Sequence, residues 1–300
     1  MRDRPRIDSD QSGGRPAWEA WTEPLPEFMA CFHIIDPISG KVSAMTMMRR
    51  MFGRIVLALI LPLQSLAQAA AVPPQPMDIP GSTSYVYKTI DSGDLRLHYF
   101  SPPGRYIASL RPAIVFFSGG NWTTGWITQF QAQAKHFAER GMVAILADYR
   151  VFGRQGTGAF EAMTDAASAI RRVRARAVEL GIDPNRIAAS GAAAGGHLAL
   201  SAAVFDTFNE KGENLRVSAK PNALVLFNPV VDTTYSTPAE FPDRFGVRAK
   251  EGSPAHHVGR GLPPMIVMHG TADRTVPFAD VERYCAEVRR LGNDCQLVKY

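Results

Sequence analysis

From Tyr85 onward the chain alternates short apolar runs with longer stretches of helical periodicity, and that alternation sets the expected architecture. Tyr85 to Ile90 and Leu95 to Phe100 place apolar residues at every second position on either side of Asp91-Ser92-Gly93-Asp94, the pattern of an antiparallel hairpin. Apolar runs too short for helices follow: Ala113 to Phe117, Met142 to Ala147, Arg186 to Ala189, Ala223 to Phe227, Met265 to His269, and a last one opening at Gln296. Between them, apolar residues three and four apart predict helices over about 129–140, 160–180, 196–204 and 278–291. Strands that are apolar throughout belong in a sheet covered on both faces. The expected fold class is therefore α/β, a mostly parallel sheet with helices on both faces, entered through an N-terminal antiparallel hairpin. Asn228 to Leu262 has no clear period and is expected to form a partial lid over the carboxyl ends of the strands.

Composition adds bounds. A 300-residue chain that is 46% hydrophobic can bury a large core. The net charge of +5 says little about partners, because Arg2, Arg4, Arg6, Arg15, Arg49, Arg50 and Arg54 precede the expected mature start. No basic stripe with interleaved aromatics points to nucleic acid. Arg171, Arg172, Arg174 and Arg176 read as the solvated face of a long helix, and Asp148-Tyr149-Arg150 as a buried acid–base pair at a strand end.

A targeting signal sits inside the chain. Arg49, Arg50 and Arg54 form a positive region, Ile55 to Leu63 an apolar one, and Ala67-Gln68-Ala69 a small-x-small cleavage site. Residues 45–69 are thus expected to be a secretory signal peptide, with 1–44 an extension ahead of the true start. The apolar run is shorter than the roughly twenty residues that span a bilayer, so a stable membrane anchor is not expected. The expected location is periplasmic or extracellular. After cleavage Cys285 and Cys295 remain, either as a disulfide or as two small buried hydrophobes.

Four motifs fall at the carboxyl ends of successive strands, where open α/β sheets place ligands. Ser118-Gly119-Gly120-Asn121-Trp122 can turn backbone N–H groups toward a developing oxyanion, or be a plain tight turn. Asp148-Tyr149-Arg150 is the second. Gly191-Ala192-Ala193-Ala194-Gly195-Gly196-His197 has the strand-to-helix setting of a G-x-S-x-G nucleophile elbow, with Ala193 midway between the glycines where the serine would be. His269-Gly270-Thr271-Ala272-Asp273 ends a strand with an acid that could orient a histidine, or cap the following turn.

Together, in this order and spacing, these motifs resemble the α/β-hydrolase superfamily, within it the secreted bacterial esterases of the hormone-sensitive-lipase and acetyl-esterase type. The resemblance covers about Ile90 to Tyr300. It implies a carboxylic-ester hydrolase for small or carbohydrate-linked esters, with no metal or organic cofactor. Asp273 is implied as the acid, and the N–H groups of Gly119, Gly120 and Ala194 as the oxyanion hole. The chain departs from the pattern in several places. Ser118 and Asn121 replace a histidine and a glycine, Ala193 holds the nucleophile position, and no histidine follows Asp273. Ser190 belongs to the incoming strand and is not expected to substitute, and His197 is not expected to be the base. Residues 70–300 are expected to be the hydrolase domain, with Tyr300 inside its last strand as in a fragment. Impaired catalysis follows, with a non-catalytic pseudo-hydrolase that keeps the pocket as the alternative. Oligomeric state is left open.

Overall fold

The computed structural model describes residues 72–104, 110–234 and 244–300. The expected extension, the signal peptide and the middle of the expected lid lie outside these residues. The described chain forms an eight-stranded sheet in the order β1-β2-β4-β3-β5-β6-β7-β8. The strands are β1 (Thr83–Ile90), β2 (Gly93–Phe100), β3 (Arg111–Phe117), β4 (Val143–Ala147), β5 (Ile182–Ala192), β6 (Ala223–Phe227), β7 (Met265–His269) and β8 (Cys295–Lys299). β1 pairs antiparallel with β2 and β2 antiparallel with β4; every later pairing is parallel. The expected mixed sheet with its N-terminal hairpin is borne out.

The period of two along the strands decides what each face buries. Ala113, Val115 and Phe117 of β3 and Val143, Ile145 and Ala147 of β4 join one core with α3 (Ala159–Ala175), α4 (Ala194–Val204) and α5 (Phe278–Arg290). Ile114, Phe116, Ala144 and Leu146 point the other way, into a smaller core closed by Ala134 and Ala138 of α1 (Gln131–Glu139). The short α2 (Phe152–Gln155) lies between β4 and α3. Among the described residues no helix is long and apolar enough to cross a membrane.

Several local expectations are corrected. The hairpin turn is only Asp91-Ser92, because β2 already begins at Gly93. α3 stops at Ala175; the chain turns through Gly181, whose φ is 69°, so that the Ile182 N–H bonds the Ala177 carbonyl at 2.7 Å. The turn expected at Asp183-Pro184-Asn185 lies within β5, at a register shift against β3. The arginines of α3 are not simply solvated: Arg171 is buried, with its guanidinium on Glu213, Asn209 and the Val217 carbonyl. Arg150 does not pair with Asp148. It holds the fully buried Asp165, which Lys88 shares, while Asp148 lies 3.9 Å from Arg154. Burial pushes the Asp148 carboxyl up to about 6, against the pull of Arg154. Cys285 and Cys295 form a disulfide, with Cα atoms 5.6 Å apart, tying α5 to β8.

Candidate active site

β5 ends at Ala192 and α4 begins at Ala194, so a single residue carries the whole reversal. Ala193 has φ 47° and ψ −115°, a conformation that L-residues rarely adopt and that persists only where the surroundings dictate it. Its N–H donates to the Phe227 carbonyl at 3.1 Å, and its carbonyl accepts from His197 N at 3.0 Å and Val230 N at 3.1 Å. The flanking glycines are required by close approach. A Cβ on Gly191 would lie 2.7 Å from the Phe117 carbonyl oxygen, and one on Gly195 would lie 2.5 Å from that of Ser118. The turn is thus pressed against the end of β3, and no side chain longer than hydrogen fits at either position. Ala194, as the first residue of α4, has an N–H with no carbonyl one turn back to accept it.

Ser190 stays where its sequence position puts it. It is fully buried within β5, and its Oγ finds no hydrogen-bond partner among the described residues. His197 is equally structural: its ring is buried, its Nε2 bonds the Gly252 carbonyl at 2.8 Å, and burial pulls it down to about 4.

Beside the elbow, the turn after β3 runs through three successive residues of positive φ: Gly120 at 135°, Asn121 at 53° and Trp122 at 55°. Asn121 adopts the left-handed conformation that its residue type tolerates. The Tyr149 hydroxyl donates to the Ser118 carbonyl at 2.6 Å, and Thr123 and Thr124 N–H groups donate to the Gly120 carbonyl at 3.0 and 2.9 Å. Trp122 is buried edge-on to His197 and Phe245, with ring centroids 5.1 and 5.0 Å apart, which locks this turn to α4. A Cβ on Gly119 would stand 3.0 Å from the Ala192 carbonyl oxygen, so the Gly119 turn and the elbow are in contact. The Gly119 N–H donates to Gln129 Oε1 at 2.6 Å. A carboxamide oxygen therefore occupies the N–H that the sequence marks as an expected oxyanion donor.

Asp273 follows β7, two strands from β5 and thus roughly 10 Å across the sheet. Its Oδ1 accepts from Thr275 N at 2.8 Å and Val276 N at 3.0 Å, and its Oδ2 lies 3.7 Å from His269 Nε2. That ring nitrogen is already committed to the Val276 carbonyl at 2.9 Å. The cap expected as the alternative role of Asp273 is therefore present. Asp280 and Asp232 add negative charge nearby: burial and Asp232 push the Asp280 carboxyl up, while Arg283 and His269 pull it down. Among the described residues no group of three or more His, Cys, Asp or Glu side chains could hold a metal ion.

The structure thus brings Gly119, Ala193 and Ala194 to one place and sets Asp273 two strands away, at the end of β7. Sequence reasoning missed three residues that shape this place. Tyr149, in the sequence only the middle of an acid–base motif, anchors the Ser118 carbonyl. Gly125 is needed because a Cβ there would lie 2.9 Å from the Gly119 carbonyl oxygen. Gln129 sits in a segment with no motif, and nothing in the sequence marks its contact with Gly119.

Comparison with known proteins follows the same lines. The BD-FAE family model matches residues 100–244. Esterase 2 of Thermogutta terrifontis, phosphonylated by sarin, is 42% identical and superposes with a TM-score of 0.73, over 76% of this chain and 86% of that one. The same esterase with butyrate bound superposes at 0.69, again at 42% identity, over 74% of this chain and 83% of that one. A probable isoprenylcysteine alpha-carbonyl methylesterase of Arabidopsis thaliana is 28% identical over 242 residues, 72% of this chain and 50% of its own length. The chain spans about half the length of the curated relatives it matches.

Proposed function

The chain belongs to the BD-FAE family of α/β-hydrolase esterases, and from that membership we propose a carboxylic-ester hydrolase by descent whose own hydrolysis stops at Ala193. The observation that carries this reading is the backbone of Ala193: the turn is held at φ 47° and ψ −115°, and it presents a methyl group. In a working site of this kind a serine hydroxyl attacks the ester carbonyl, a histidine moves the proton, an acid orients the histidine, and backbone N–H groups stabilise the oxyanion. Here we assign the N–H groups to Gly119, Gly120 and Ala194, that of Gly119 once Gln129 has been displaced from it, and the acid to Asp273, but carbon at position 193 has no lone pair to attack with. Binding and the oxyanion donors alone leave roughly 10³ to 10⁴ over the reaction in water.

The place beside the elbow stays useful for binding. Small or carbohydrate-linked esters, and the carboxylic acids they release, are the ligands we assign to it; bound butyrate in the Thermogutta esterase supports that class. An exported protein, processed near Ala69, fits the signal-peptide pattern of residues 45–69. The second reading, a pseudo-hydrolase whose role is to bind, is favoured by the same methyl group, which leaves the turn and its donors in place.

Isothermal titration with butyrate tests the proposal. The expected result is saturable binding, displaced by p-nitrophenyl butyrate that is not turned over at an esterase's rate. No binding of either compound would remove the pocket from the account.

A further inference from the structure

At the amino ends of β5, β6 and β7 the surface opens into a cleft of about 750 Å³, lined by Arg174, Arg216 and Lys220 and by no carboxylate. It lies at the opposite end of the strands from the elbow, roughly 17 Å away along β6. Its floor is proline-rich, with Pro184, Pro221 and Pro263 contributing apolar surface.

Many arginines of this fold are neutralised by a carboxylate. Arg150, Arg171, Arg186, Arg248 and Arg290 each hold a carboxylate. Arg174 holds none. Its Nε donates to the Pro184 carbonyl at 3.0 Å, Nη2 to Asn222 Oδ1 at 3.1 Å, and Nη1 to the Ser218 carbonyl. These contacts fix the guanidinium without neutralising it. Burial pulls Arg174 below the usual arginine value, and no acid offsets that. Lys220 Nζ is likewise held by a carbonyl, that of Gly261 at 2.8 Å. Arg216 is exposed, and its guanidinium makes no ion pair among the described residues. Desolvated positive charge without a counter-charge is unfavourable, and an anion arriving from solution would relieve it.

We infer that this cleft is a second ligand site, for a small molecule bearing a multiply charged oxyanion such as a phosphate monoester or a diphosphate. Arg174 is the pre-positioned donor, Arg216 and Lys220 close over the charge from two sides, and the prolines receive the organic part. The site is independent of the elbow and of whether the protein hydrolyses anything.

Calorimetric titration with pyrophosphate and with sulfate, at ionic strength matched by sodium chloride, tests it on the whole protein. The expected result is saturable one-to-one binding, weakened at least about tenfold in an Arg216→Ser, Lys220→Ser double variant. Because neither side chain packs in the core, that variant should keep its melting temperature and its butyrate affinity. Arg174→Gln should weaken binding as well. The inference is overturned if neither anion saturates at matched ionic strength or if the double variant binds as tightly as the parent. It is also overturned if vesicles containing phosphatidylglycerol are bound while free pyrophosphate is not.

Discussion

At the elbow, Ala193 is kept in its strained turn by backbone groups and by two glycines pressed against the end of β3. At the acid turn after β7, the loop is shaped by the Asp273 carboxylate itself, through Thr275 and Val276. The first region separates geometry from chemistry, since no part of its shape depends on the side chain at position 193. The second cannot separate them, because the group that would orient a histidine is also the group that ties the loop. A nucleophile can therefore be absent from the elbow while the elbow persists, whereas loss of the acid would alter the acid turn as well.

The largest effect is expected where backbone meets backbone. Gly195→Ala forces a methyl group onto the Phe117 and Ser118 carbonyls and should cost about 4 kcal/mol or more, seen as a fall in melting temperature or loss of soluble protein. Ala193→Ser, by contrast, should stay within about 0.5 kcal/mol of the parent. If both changes were equally harmful, the claim that shape and chemistry are independent at the elbow would fail.

Next comes pH. His197, one turn into α4, has its value pulled from 6.5 to about 4 by burial. The unfolded chain takes up that proton first, so the contribution of neutral His197 is complete above about pH 6.5 and is lost as the pH falls toward 4. The loss is at most about 3 kcal/mol. Melting curves across this window should show a shallower acid dependence in His197→Gln than in the parent; an unchanged slope would mean the ring is not held neutral.

A smaller change is expected at the acid turn. Asp273→Ala removes two hydrogen bonds from a partly exposed loop and should cost about 1–2 kcal/mol, while Asp273→Asn, which keeps an accepting oxygen, should recover most of it. Equal melting temperatures for the Ala and Asn variants would show that the carboxylate does not build the loop.

The sheet was legible because its strands are apolar without interruption and its glycines recur at strand ends. Ala113 to Phe117 and Met265 to His269 could be placed within a residue or two. The elbow was legible too, since the spacing of Gly191 and Gly195 follows from contacts that exclude any Cβ. Pairing choices were not. Arg150 stands next but one to Asp148 in sequence and instead reaches Asp165 on α3, because a buried carboxylate draws the nearest available cations in space. Arg171 and Glu213, in the loop it clasps, are 42 residues apart, a distance that helical periodicity cannot bridge. Gln129 was invisible for a different reason: a single carboxamide reaching a single N–H leaves no pattern along the chain.

Hydrolysis of p-nitrophenyl acetate by the purified protein, measured beside its Ser190→Ala variant, tests the central claim most directly. The account predicts the same slow rate for both, no more than roughly 10³ to 10⁴ over water, because neither the methyl of Ala193 nor the buried hydroxyl of Ser190 can attack the ester. Turnover near the roughly 10 per second of an ordinary enzyme, whether or not Ser190→Ala removes it, would contradict the account.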